Sequence, residues 1–437
     1  MSPVKYSMTA LVISMSKIFE VLDLNTLCFL MFGLLFMGFL VLEGFDYGVG
    51  MLLPFLGKSD TERQAIVNTL APVWEGNQVW LIAASAVLFA GFPNVYATLF
   101  SGLYLALLLI LASLILRGVA FEFRNKDVNQ NWRNFWDLVM FCGSVIPTLL
   151  WGIVLTNLLN GLPINGEMQY IGTSGDLISL YTLTGGVVFI FLFLLHGTAY
   201  LTLKLDQHFI PQIRKTGLIT GRYALLPLVG FAILTVVYTD LPSRKAIVGG
   251  ILLSSIMALA LCCRYLRKRQ YEKSFVFSTV TIISITGAIF IGLFPRFIVS
   301  SLDPNWSLSI YNSASNHLTL KIMTITLSIM LPIVFVLEGF KYHIFRQRIH
   351  VAEMSFEPNR KLWEQLQGCF KELIGYSYNL SIILVKMKFH LERGKSLQSS
   401  ETTQASTENQ FHKLKTLIQR GHQLVDIIVE MIKVLRK

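Results

Sequence analysis

Charged residues are scarce in this 437-residue chain: they make up 14% of it, against about 25% in an average soluble domain. Hydrophobic residues make up 53%, and the mean hydropathy is +0.57. The shortage of charge disfavours a soluble enzyme of several domains, and the apolar excess excludes a disordered or collagen-like chain. Apolar runs of about 20 residues, the length of a membrane span, are therefore the useful unit of length.

Cysteine is also scarce. The five cysteines show no metal-ligand spacing, lie mostly in apolar runs and are odd in number, so they imply no disulfide framework. The sequence contains no Walker loop, dinucleotide fingerprint or nucleophile elbow. We therefore expect no catalytic constellation and no metal site in this chain.

Nine apolar segments occur in the first 345 residues, several of them interrupted by Gly or Pro. They predict an all-α polytopic membrane protein. The predicted spans lie at roughly 24–53, 66–90, 95–117, 135–158, 179–203, 218–238, 246–266, 275–297 and 318–343. The second span is the weakest because its centre, Trp74 to Gln78, is polar. Eight spans is therefore the alternative count.

The basic residues indicate the orientation of the spans, because Lys and Arg collect in cytoplasmic loops. Alternate loops of the nine-span arrangement hold most of them, including Lys58, Arg117 and Lys204, whereas the loop 159–178 has none. This asymmetry predicts an outer N-terminus and a cytoplasmic C-terminus. The formal net charge of +11 then reports topology, and we expect no nucleic-acid partner.

The two ends of the chain differ from the membrane domain, which we place at residues 24–345. Residues 1–23 form a short lead-in without a convincing cleavable signal sequence. Residues 346–437 hold fifteen basic and nine acidic residues and two apolar stripes at helical spacing, separated by a Ser/Thr/Gln-rich stretch. They predict a cytoplasmic helical hairpin or coiled coil of unknown role, with docking onto a partner or the membrane surface as the alternative.

Four carboxylates occur inside predicted spans: Glu43, Asp46, Glu75 and Glu338. Ionisable groups at membrane depth are costly and usually functional. Glu43 and Asp46 are three residues apart and share a helix face. These acids are compatible with a proton relay, and equally with bracing of helix ends through hydrogen bonds. At this level a proton-coupled transporter and a subunit of a redox complex both remain open.

Two histidines also lie in or beside predicted spans, His196 and His317. Each is isolated, without a second His or Cys at helical spacing, so a haem or metal site is disfavoured. We interpret His196, which lies near Gly185, Gly186 and Gly197, as a residue that hydrogen-bonds between closely packed helices.

Several long segments resemble subunit II of the cytochrome bd quinol oxidases, and the resemblance covers roughly residues 20–345. In chain order these are 43–52 (EGFDYGVGML), 60–63 (DTER), 68–81 (NTLAPVWEGNQVWL), 117–124 (RGVAFEFR), 132–137 (WRNFWD) and 312–320 (NSASNHLTL). The resemblance implies nine transmembrane helices, arranged as two four-helix bundles plus one peripheral helix. It does not extend to the tail.

The resemblance also implies an activity. The complex of this family lies in the bacterial inner membrane, where it oxidises quinol and reduces oxygen to water. It takes the protons for that water from the cytoplasm. Its larger subunit I is expected to carry haem b and haem d. The partners implied for this chain are subunit I, membrane lipid and a small accessory subunit, and it is a candidate to hold a structural quinone.

The site residues implied by the resemblance form a proton path at the subunit interface. Its best-supported member is the acid of the Trp-acid-Gly-Asn motif, here Glu75, where many relatives have Asp. Asp46 matches a second family acid, and Glu43 stands where a polar residue is frequent. The supporting motif residues are Trp74, Gly76, Asn77, Gln78 and Trp80.

Replacement of Glu75 tests this path. We expect Glu75→Gln to slow oxygen reduction roughly tenfold or more, because a carboxamide cannot exchange a proton at neutral pH. Glu75→Asp should largely preserve the rate. The measurement is quinol-driven oxygen consumption per assembled complex. Wild-type turnover in Glu75→Gln would remove this residue from the path.

Overall fold

A computed structural model describes residues 23–239 and 244–349. Eleven α-helices make up most of this part of the chain. They are α1 (Leu24–Leu56), α2 (Asp60–Leu70), α3 (Trp74–Gly91), α4 (Pro93–Gly102), α5 (Tyr104–Phe123), α6 (Gln130–Asn160), α7 (Leu180–Lys204), α8 (Ile210–Tyr238), α9 (Lys245–Arg267), α10 (Tyr271–Leu293) and α11 (His317–Ile344). Two short antiparallel strands, β1 (Arg296–Ile298) and β2 (Leu308–Ser309), lie between α10 and α11.

Eight of the described helices are long and apolar enough to cross a membrane: α1 and α5 to α11. The pair α3 and α4, bent by 118°, raises the number to nine if it counts as one span. The prediction of an all-α polytopic membrane protein is therefore confirmed. The lead-in before Asp23 and the predicted helical hairpin of the tail lie outside the described residues.

The predicted bounds are wrong at the second and third spans. The segment 66–90 is divided between α2 and α3, with Pro72 in the turn, and α5 begins at Tyr104 rather than near residue 95. Proline lacks an amide hydrogen and interrupts helices, which explains the breaks before α3 and at Pro93, the first residue of α4. At the second break, Ser315 supplies the donors that the last carbonyls of α3 need, from its amide to Gly91 (2.8 Å) and from its hydroxyl to Ala90 (2.6 Å).

Helix α1 is the central helix of the described part, and it packs against α2, α3, α6, α7 and α10. Its contact with α7 is a backbone crossing at Gly48 and Gly197, where a Cβ on Gly197 would lie 2.7 Å from the Val49 nitrogen. A similar crossing joins α6 and α7 at Gly152 and Gly185. Small residues allow helices to approach this closely in membranes, as the glycines near His196 predicted.

Within the described residues, the segments up to Thr324 and from Leu337 to Ile349 belong to one compact unit, whereas Ile325–Val336, the middle of α11, belongs to a second. The C-terminal end of α11 is held within the first unit. Lys204 donates to the carbonyl of Phe345, the amide of Ile349 donates to the carbonyl of Lys204 (2.8 Å), and Arg348 donates to that of Leu205 (2.5 Å). The last described residues are thereby fixed beside the end of α7.

An ion-pair network joins the loops at the ends of α2, α5 and α6. Arg124 is fully buried and contacts both Asp137 (2.6 Å) and Asp60 (2.8 Å). Asp137 also accepts from Arg63 (3.2 Å), and Asp60 also pairs with Arg133. Three of the segments that carry the family resemblance, at 60–63, 117–124 and 132–137, meet in this network. The network closes one end of the helix bundle, and Asp46 lies nearer to this end than to the other.

Removing one acid of this network should destabilise the protein. In Asp137→Asn, the buried Arg124 guanidinium loses its nearest carboxylate, so we expect a loss of about 3 kcal/mol of stability, as for other broken buried pairs. The thermal midpoint of the purified complex measures it. Glu122→Gln, at an exposed position of the same segment, is the matched control. An unchanged midpoint in Asp137→Asn would show that the network does not hold this end together.

Candidate functional site

Asp46 is completely buried in α1. Its Oδ2 accepts a hydrogen bond from Asn77 Nδ2 of α3 at 2.8 Å. A charged or polar group inside a membrane protein needs such a partner, because no water solvates it. The contact joins the two family segments 43–52 and 68–81.

Asn77 has all its hydrogen-bonding groups in use. Its Oδ1 accepts from the Tyr342 hydroxyl (2.8 Å) and from Lys341 Nζ (3.3 Å), both on α11, and Nδ2 donates to Asp46 and to the Leu42 carbonyl (3.4 Å). Since Lys341 is only a donor, the amide oxygen must face α11 and the amide nitrogen must face Asp46. The side chain of Asn77 is therefore a fixed connector between α1 and α11.

Lys341 is 4% exposed and has three acceptors around its ammonium group. These are Glu338 (2.5 Å), Asn77 Oδ1 (3.3 Å) and the Val73 carbonyl (3.4 Å). An ammonium group has three hydrogens to donate, so Lys341 is fully satisfied. Glu338 therefore forms an ion pair within its own helix, which fits the bracing interpretation of this acid.

Glu43 lies one turn before Asp46 and is equally buried, but it reaches a different helix. It forms an ion pair with Arg117 of α5, whose guanidinium also lies 4.6 Å from the centre of the Tyr47 ring. The assignment of Arg117 to a basic loop is therefore wrong. The sequence does carry a signal for this: Arg117 directly follows a long apolar run. A cation in that position needs a buried acid as its partner.

A small cavity lies between Asp46, Arg117 and Ser144. Its volume is about 10 Å³, which is about the room one water molecule needs. Asp46 Oδ1 and two nitrogens of Arg117, Nε and Nη1, are buried without a hydrogen-bond partner among the described residues. Asp46 and Arg117 are among the residues that line this cavity, most of which are apolar.

Glu75 does not join this network. It lies in the first turn of α3 and is exposed, and it makes no ion pair with any described residue. Asn77 is two residues away, about 200° around the helix, so the two side chains face opposite directions. The structure thus places the predicted main acid on the surface of the chain and Asp46 in its interior.

The other motif residues of α3 pack against neighbouring helices. Trp74 stacks on Phe121 of α5 at 5.1 Å between ring centres, and Trp80 is buried against α1. Gln78 is half-buried. Gly76 lies beneath the ion pair of α11, since a Cβ there would be 3.1 Å from Glu338 Oε1 and 2.5 Å from Lys341 Nζ.

Comparison with known proteins decides the family of this chain. Residues 24–345 match the family described as cytochrome bd terminal oxidase subunit II. The chain belongs to this family. It is 36% identical over 339 residues to cytochrome bd ubiquinol oxidase subunit 2 of Bacillus subtilis, an alignment that covers 76% of this chain and 99% of the relative.

A second relative gives the same result for this subunit II. Cytochrome bd-I ubiquinol oxidase subunit 2 of Escherichia coli K12 is 35% identical over 356 residues, which covers 73% of this chain and 93% of the relative. A solved structure of the bd oxidase from Geobacillus thermodenitrificans resembles it with a TM-score of 0.63 at 18% identity, over 74% of this chain and 99% of that one. That likeness supports the fold.

His196 illustrates how this subunit II uses its buried histidine. Nδ1 lies 2.7 Å from the Ser278 hydroxyl of α10, and Nε2 lies 3.1 Å from the Val41 carbonyl of α1. Both ring nitrogens are engaged, which confirms the predicted helix–helix hydrogen bonds and leaves no nitrogen to ligate a haem iron. Within residues 23–239 and 244–349, no group of three His, Cys, Asp or Glu side chains could hold a metal ion.

The Glu43–Arg117 pair provides a test of how subunit II is held together. Arg117→Met leaves Glu43 buried and unpaired, which should cost about 3–5 kcal/mol and reduce the yield of assembled complex. The double variant Glu43→Gln/Arg117→Met removes both charges and should recover part of that yield. Affinity purification through this chain measures it. Full assembly of the single variant would show that the ion pair contributes little to stability.

The double variant also tests the proton path. Normal turnover of Glu43→Gln/Arg117→Met would remove Glu43 from that path.

Proposed function

We propose that this chain is the proton-conducting and stabilising subunit of a bacterial inner-membrane quinol oxidase. Its family places it in a cytochrome bd complex, which oxidises quinol and reduces oxygen, and subunit II implies a partner subunit I. The observation that carries the proposal is Asp46: a fully buried carboxylate in a span, hydrogen-bonded to the Asn of the family motif and bordering a water-sized cavity. The proton-coupled transporter has no observation in its favour.

The proposed proton path uses Asp46 in the interior and Glu75 at the surface. Carboxylates exchange protons along chains of hydrogen-bonding groups, and the cavity beside Asp46 has room for the water that such a chain needs. Glu75 is exposed and is the one charged residue of α3. A carboxylate in that position is costly against lipid, which favours its being covered by subunit I.

The proposed orientation places the end of the bundle that holds the ion-pair network in the cytoplasm. At this end α1 and α7 finish and α3 begins, and the basic residues Lys58, Arg63, Arg124 and Arg133 belong to its loops. The N-terminus would then be outside and the C-terminus inside. Protons taken up from the cytoplasm would reach Asp46 from this near end.

The proposed division of cofactors gives haem b and haem d to subunit I, since His196 has both nitrogens engaged. Subunit II offers a different kind of space. A cavity of about 90 Å³ lies among α1, α3, α5, α6 and α10, lined by side chains such as Phe32, Phe36, Leu88 and Trp151, with Ser85 as its one hydroxyl. It fits the isoprenoid chain of a structural quinone or a lipid acyl chain better than a polar head group. A small accessory subunit would have to bind elsewhere, on the exposed helix faces.

Replacement of Asp46 tests the proposed function. We expect Asp46→Asn to lower quinol-driven oxygen consumption about tenfold, and by no more than Glu75→Gln, because the amide can accept from Asn77 but cannot exchange a proton. The rate is measured per haem d, so that lost assembly is separated from lost turnover. Asp127→Asn, the same change at an exposed loop acid, is the control. A wild-type rate in Asp46→Asn would refute conduction through this residue.

A further inference from the structure

Asp46 is approached from two sides by cations that come from different helices. Arg117 of α5 borders it across the water-sized cavity. Lys341 of α11 reaches it through Asn77, whose Oδ1 it contacts at 3.3 Å while Nδ2 of the same amide donates to Asp46 at 2.8 Å. Lys341 and its partner Glu338 have no role in the proton path proposed above.

The Asn77 amide could in principle adopt either of two orientations that exchange its oxygen and nitrogen. With the nitrogen toward α11, it would face the Lys341 ammonium, a donor that cannot accept. With the oxygen toward α11, Asn77 accepts from Lys341 and from Tyr342 and presents an N–H to Asp46. The cation therefore favours the orientation in which Asp46 meets the amide N–H, as does the Leu42 carbonyl, which accepts from the same nitrogen.

Glu338 holds the Lys341 ammonium group within reach of the Asn77 amide oxygen. The two side chains form a 2.5 Å ion pair that lies over Gly76, the glycine between Glu75 and Asn77. Any larger residue at Gly76 would contact the ammonium group, since a Cβ would stand 2.5 Å from it. The glycine of the family motif thus provides the space through which α11 reaches Asn77.

We propose that Lys341, held by Glu338, is a positioning residue for Asp46. It fixes the Asn77 amide so that Asp46 Oδ2 receives a hydrogen bond, while Asp46 Oδ1 stays without a partner among the described residues. Tyr342 supports the same orientation through its hydroxyl. This inference rests on the proposed role of Asp46 in proton conduction and extends it to Lys341 of α11.

A brace that only ties α11 to α3 predicts a different result from a positioning residue. A brace stabilises the complex whatever occupies position 46, so its loss would add to the loss caused by Asp46→Asn. A residue that acts through Asp46 has no effect once Asp46 is replaced by Asn. The loss of turnover in the double variant would then equal the loss in Asp46→Asn alone. The double variant therefore separates the two roles.

The test compares turnover per haem d in the full oxidase complex. We expect Lys341→Met to lower it about tenfold in the wild-type background and to have no further effect in Asp46→Asn. Lys341→Arg should recover most of the rate, since arginine can still pair with Glu338 and donate to Asn77. Lys321→Met, the same change near the other end of α11, should leave the rate unchanged.

Assembly is the control on the result. If Lys341→Met fails to assemble because Glu338 is left unpaired, Glu338→Gln/Lys341→Met removes both charges and takes its place. Additive losses, a wild-type rate in Lys341→Met, or failure of both variants to assemble would each overturn the positioning role. A wild-type rate in Asp46→Asn alone would instead refute the proposed proton path, so the two failures are distinguishable.

Discussion

Two carboxylates buried one turn apart on a single helix are the constraint on which this protein depends. Glu43 and Asp46 are both completely buried, and the low polarity of their surroundings requires that each be met by a polar partner. They are met by different helices, α5 through Arg117 and α3 through Asn77. These two residues therefore tie α1 to α3, which packs against it, and to α5.

The glycines of α1 and α7 allow these two helices to approach each other closely enough for polar contacts between them. Short side chains such as those of Asp46 and Asn77 form a hydrogen bond only if the helices that carry them are near one another. The crossing at Gly48 and Gly197 brings α1 against α7 backbone to backbone, and His196, one residue before Gly197, then reaches Val41 of α1. Close packing and polar contacts are thus two parts of one arrangement.

Hydropathy was sufficient to predict the long spans, because each of them holds a strongly apolar stretch of membrane-spanning length. It was not sufficient at α3 and α4, which are broken at Pro93 and where the last carbonyls of α3 are met by Ser315, more than 200 residues away along the chain. The same limit applies to the site. The spacing of Glu43 and Asp46 predicted a shared face, but only the fold shows that Arg117 pairs with Glu43 and that Lys341 contacts Asn77, the partner of Asp46. Glu75 could be predicted as an acid of the membrane domain, whereas its exposure depends on which face of α3 packs on α1.

The attachment of the last described residues has a mechanical consequence. Residues 345–349 are bound to Lys204 and Leu205 by a lysine contact, an arginine contact and a backbone hydrogen bond. This attachment lies between the C-terminal extension and the turn of α11 that carries Lys341 and Tyr342. A pull on the chain beyond residue 349 is therefore borne first by the end of α7. The geometry around Asn77 is isolated from that load until these bonds break.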